Sequence, residues 1–129
     1  MMTKIEKIKY FESEVKRFYD FFGLHFWDLS IKQYETDKYE ASCWTNPFYE
    51  QGVGCGFRAT ITYGKKWIES DITKDDISKT CFHEILELLL TRMRDFANQK
   101  EIYVSSREVD DEIHRIINTL ENKIYRLIK

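Results

Sequence analysis

The spacing of apolar residues changes period twice along this chain, and these two changes limit the folds open to it more than any single motif does. Ile5, Ile8, Phe11, Val15, Phe18, Tyr19 and Phe22 recur every three or four residues, which predicts a helix from Lys4 to Phe22 with one apolar face. Thr3 and Glu6 have the spacing at which each side chain can satisfy a free amide at a helix start, and Gly23 stops the run. From Trp27 to Tyr63 the pattern becomes short aromatic and β-branched runs broken by turn formers. It predicts strands from Trp27 to Tyr34, from Tyr39 to Trp44 and from Phe57 to Tyr63. Between the second and third of these, Asn46, Pro47, Gly52, Gly54 and Gly56 form a loop composition without a phosphate-cradling G-x-G-x-x-G.

The helical period then returns. Thr73 with Asp76, and Ser105 with Glu108, repeat the capping spacing of Thr3 just ahead of two more periodic segments. Phe82, Leu86, Leu89, Leu90, Met93 and Ala97 line one side of the second helix. Val109, Ile113, Ile116, Ile117, Leu120, Ile124 and Leu127 form a continuous stripe on the third. The order predicts an α+β fold: an N-terminal helix, a small three-stranded sheet and two C-terminal helices, with the helices gathered on one face. At 129 residues, with one proline and five glycines, the chain is expected to form a single domain over 1–129.

Charge and cysteine usage narrow the function classes. Twenty Lys+Arg against 22 Asp+Glu give a net charge of -2, without the basic excess that a phosphate-binding surface requires, so no nucleic-acid partner is expected. Lys65-Lys66-Trp67 and Arg92-Met93-Arg94 put cations near an aromatic, as a nucleic-acid-associated protein would, but Glu69, Asp71 and Asp95 balance them, as on a solvated surface. The three cysteines form no C-x-x-C pair and their odd number closes no disulfide framework, which fits a reducing cytoplasm. No apolar stretch approaches the roughly 18 to 20 residues that span a bilayer, so no membrane partner is expected.

The chemistry concentrates in Cys81-Phe82-His83-Glu84-Ile85-Leu86-Glu87. His83 and Glu87 are one helical turn apart on the border of the apolar stripe, so an imidazole nitrogen and a carboxylate oxygen can reach one divalent ion. Glu84 lies further round the helix, close enough to touch a water at that ion, as in H-E-x-x-H metalloproteases. A catalytic site of this kind takes three protein ligands. His114, flanking the stripe of the last helix, is the first candidate for the third, and Asp110 one turn earlier can fix its other ring nitrogen. Glu112 and Glu108, on the opposite border, replace it if that helix packs the other way. His25, beside Phe26 and Trp27, reads as part of an aromatic cluster.

With these residues in place, the chain resembles the zincin-like metallopeptidases, particularly small phage-encoded peptidases with an F-H-E-x-x-E/H helix followed by an acidic, histidine-bearing helix. The features that carry the resemblance are the entering helix, the Ala59-Thr60-Ile61-Thr62-Tyr63 segment, Trp67, His83-Glu84, and the closing run from Glu112 to Asn122. The resemblance implies a zincin-like fold and zinc held by His83. It also implies Glu84 as the catalytic carboxylate, and a peptide or protein substrate adding to the last strand before the helix as a sheet edge. The cytoplasm of a bacterial or phage-infected cell is the implied location. Glu87 stands where that motif usually has histidine, and a carboxylate there favours harder ions, so manganese is an alternative to zinc. Tyr103 and Arg107 are candidate donors to a developing oxyanion. The alternative function is a catalytically inactive zincin-like interaction protein of phage or bacterial origin that binds a protein partner.

Overall fold

The Thr3 hydroxyl accepts a hydrogen bond from the Glu6 amide at 3.2 Å, so the first helix begins where its capping spacing places it. In the computed structural model, which describes residues 1–34, 40–45, 57–99 and 106–128, this helix is α1, Lys4–Phe21. It ends at Gly23, whose φ of 64° is the left-handed conformation that glycine adopts without strain. The remaining elements are β1 (Trp27–Tyr34), β2 (Ala41–Thr45), β3 (Phe57–Gly64), α2 (Lys65–Glu69), α3 (Lys74–Gln99), α4 (Ser106–Lys123) and α5 (Tyr125–Ile128). The architecture is α+β: an N-terminal helix, a three-stranded sheet and C-terminal helices.

The sheet has the order β1-β3-β2. β1 runs parallel to β3, with Ile31 opposite Ile61, and β2 runs antiparallel to it, with Cys43 also opposite Ile61. This corrects one expectation. β3, the last strand before the long helix, is hydrogen-bonded on both sides, so it offers no edge to a substrate. Among the described residues the edges are β1 and β2, and β2 is the one that packs against α3.

One core joins all layers. α1 contributes Phe11, Val15 and Phe18, the sheet contributes Trp27, Ala59, Ile61 and Tyr63, and α4 contributes Ile113 and Ile117. From α3 come Ile77, Cys81, Phe82, Ile85, Leu86 and Leu88, which is more than one stripe because this helix packs against α1, β2 and α4 at once. Each of the isoleucine, leucine, valine and phenylalanine side chains among them contributes about 1.5–3 kcal/mol through removal from water. The wide contact surface of α3 also gives two departures from the expected stripe. Leu88 is buried though it lies off the expected stripe, whereas Met93 on that stripe is 58% exposed.

Two short helices escaped the periodic reading. α2 is a five-residue turn after β3 that buries Ile68. At the C-terminus the expected single stripe breaks after Lys123. Tyr125 of α5 then turns inward against Phe82 and Phe18, with ring centroids 5.3 and 6.3 Å away, and Leu127 is left 79% exposed. The α3 start is closed reciprocally: the Asp76 amide donates to Thr73 Oγ1 at 3.1 Å and the Thr73 amide to Asp76 Oδ2 at 2.8 Å. Ser105, proposed to cap the last helix, lies outside the described residues, as do the loop glycines at 52, 54 and 56. No helix among the described residues is long and apolar enough to cross a membrane.

Candidate metal centre

α3 carries His83, Glu84 and Glu87 in its middle, where Phe82, Ile85 and Leu86 on either side are fully buried and fix the rotation of the helix. α4 packs beside it through Ile113 and Ile117, and this orientation turns His114 toward α3. One ligand atom from each of His83, Glu87 and His114 lies within 4.8 Å of the others. His83 Nε2 is 3.6 Å and His114 Nε2 is 3.0 Å from the same Glu87 atom, Oε1. In a tetrahedral site with metal–ligand bonds of about 2.0–2.2 Å, ligand atoms stand roughly 3.4 Å apart, so the observed spacings suit one divalent ion.

The other ring nitrogens are held. His83 Nδ1 is 2.7 Å from Glu121 Oε1, and His114 Nδ1 is 2.9 Å from the carbonyl oxygen of Asp110. Because a carbonyl oxygen only accepts, His114 carries its proton on Nδ1 and presents a lone pair from Nε2 when neutral. The Glu121 carboxylate favours the same tautomer of His83. This is the arrangement that outer partners impose on metal-ligating histidines. The expected helper of His114 is therefore found at the right residue but on a different group. The Asp110 backbone carbonyl holds the ring, while its carboxylate lies 2.9 Å from Arg94 Nε.

The charges are strongly coupled. Hydrogen bonding to Glu121 and then to Glu87 raises the His83 pKa to about 10, against the effect of burial. Burial also opposes ionisation of Glu87, but hydrogen bonding by His83 and the nearby charge of Arg94 outweigh it and bring the pKa down to about 2. Glu84, only 8% exposed, has its pKa raised to about 7 by burial, with Glu87 and Glu121 adding to the effect and His83 opposing it. A carboxyl group that titrates near neutrality can both take and return a proton. Cys43 marks the side of the site formed by β2: burial and the charges of Glu84 and Glu87 push its thiol pKa up.

Glu108 and Glu112, the alternatives to His114, face elsewhere. They line an apolar depression with Met93, Ala97, Val109 and Ile116, and Glu112 also pairs with Arg115. His25 packs edge-on against Tyr19 and pairs with Asp20 at 2.9 Å, in the aromatic setting expected of it. Arg107 is exposed and Tyr103 lies outside the described residues. Two residues of the site were not assigned a role from sequence. Glu121 follows His114 by seven positions and Arg94 follows Glu87 by seven, which is two turns along the same helical face in each case. Arg94, read as part of a solvated basic cluster, instead donates from Nη1 to Glu87 Oε2 at 2.9 Å.

No protein-family model matches the chain, and no curated protein or solved structure matches it either.

Proposed function

We propose that this protein is a divalent-metal-dependent peptidase, with His83, Glu87 and His114 as the ligands and Glu84 as the catalytic carboxylate. The observation that carries the reading is the convergence of three ligand atoms within 4.8 Å while both histidines are anchored through their far nitrogens. The two-nitrogen, one-oxygen donor set suits zinc, and the carboxylate also admits manganese. A bound ion of this kind supplies Lewis acidity that makes water a better nucleophile and a carbonyl a better electrophile. Glu84, adjacent on α3 and poised near neutral pH, takes the proton from the attacking water and returns it to the leaving amine.

The peptide would lie along β2, the strand that packs against α3 beside the site. The test separates binding from chemistry. Glu84→Gln is expected to bind one zinc with unchanged affinity and to cleave an unfolded protein substrate at least 100-fold more slowly than the wild type, in line with the loss of a general base. Loss of metal with this variant would contradict the assigned role. Metal binding without cleavage by the wild type would leave the interaction-protein alternative in its place.

A further inference from the structure

Arg94 closes a ring of four residues around the candidate centre. Its Nη1 is 2.9 Å from Glu87 Oε2, Glu87 Oε1 is 3.0 Å from His114 Nε2, His114 Nδ1 is 2.9 Å from the Asp110 carbonyl, and Asp110 Oδ1 is 2.9 Å from Arg94 Nε. We infer that Arg94 is a positioning residue that restricts Glu87 to a single ligating oxygen and so keeps a coordination position open. The inference rests on the metal-centre reading and adds to it the device that sets the coordination number.

The two oxygens of Glu87 have different neighbours. Oε1 faces both histidine Nε2 atoms, and Oε2 faces the guanidinium. For Glu87 to chelate through both oxygens, Oε2 would have to turn toward the ion, weakening its hydrogen bond from Arg94 and drawing one of the guanidinium's two carboxylate partners toward another cation. Arg94 has little alternative solvation to offset that loss. Its side chain is 21% exposed, and both Nε and Nη2 are buried without a hydrogen-bond partner among the described residues, the contact of Nε with Asp110 being an ion pair alone. A guanidinium held this way is a costly means of joining two helices, because its buried nitrogens lose their hydration without a compensating hydrogen bond. The cost is understandable if the arginine controls which oxygen of Glu87 is available. The planar fork of arginine suits this role, since separate nitrogens reach Glu87 on α3 and Asp110 on α4; a lysine has one.

Cobalt(II) in place of zinc tests the inference without reference to turnover, because its visible absorption is intense in four-coordinate sites and several-fold weaker in five- or six-coordinate ones. The wild type loaded with one Co²⁺ is expected to give the intense spectrum. Arg94→Gln is expected to lower that absorption several-fold while still binding one Co²⁺, and Arg94→Lys to restore part of it. Asp110→Asn, which keeps the backbone carbonyl that holds His114, should produce a smaller change in the same direction and serves if Arg94→Gln does not fold. Spectra of both variants superimposable on the wild type, at one bound Co²⁺ each, would overturn the role of Arg94 and leave the metal centre standing. A wild type that binds no Co²⁺ would overturn both.

Discussion

His114 on α4 places Nε2 3.0 Å from Oε1 of Glu87 on α3, so two helices that meet through apolar packing also share a polar contact at the centre of the candidate site. The residues that hold the two rings are therefore as open to test as the ligands. Glu121 accepts from His83 Nδ1 at 2.7 Å. Removal of such an outer partner typically costs 10- to 100-fold in metal affinity. Glu121→Gln, which keeps the shape and removes the charge, is expected to weaken zinc binding by about 10-fold in a competition titration with a chromophoric chelator. An unchanged affinity would show that Glu121 does not tune His83.

The pH dependence of binding follows from the same contact. In the metal-free protein the pKa of His83 is raised from 6.5 to about 10. The charged ring thus contributes stability that is complete below 6.5 and is lost as the pH rises through about 10. A metal ion requires the neutral ring and displaces this proton. Zinc affinity is accordingly expected to rise about tenfold per pH unit between roughly pH 7 and 9, with about one proton released from the protein. Calorimetry in buffers of different ionisation enthalpy measures the release, and a pH-independent affinity would contradict it.

Packing beneath the site should matter as well. Phe82 is fully buried, edge-on to Phe18 at 5.2 Å and tilted against Tyr125 at 5.3 Å. Phe82→Ala is expected to cost about 3–5 kcal/mol in denaturant unfolding, through lost burial and the cavity left behind. A cost below about 1 kcal/mol would mean that this cluster is not the core it is taken to be.

A smaller effect is expected at the start of α3. Thr73 and Asp76 satisfy one another's amides, so Thr73→Ala should lower stability by about 1 kcal/mol, with zinc affinity unchanged because the site lies further along the helix. Chemical denaturation and a zinc titration on the same variant check both parts.

Much of this arrangement was legible in the sequence because it depends on local periodicity. Phe11, Val15 and Phe18 fix the buried face of α1, and the i, i+4 relation of His83 and Glu87 needs only a helix to bring them together. His114 was legible as a candidate but not as a choice over Glu112, since that depends on how α4 is rotated against α3. The strand order was hidden for a related reason. Spacing along β3 shows that it is a strand, whereas its central position is decided by pairing with both β1 and β2. Arg94 and Glu121 were missed because charged residues at helical spacing usually face water. Only packing of α3 on α4 turns these two inward.

Zinc binding by the wild type alongside its single ligand variants is the most direct measurement. Elemental analysis after reconstitution and dialysis should find one zinc per chain in the wild type and Glu84→Gln, and well under one in His83→Ala, Glu87→Ala and His114→Ala. No zinc in the wild type, or a full equivalent in all three ligand variants, would contradict the assignment of His83, Glu87 and His114 as a metal centre.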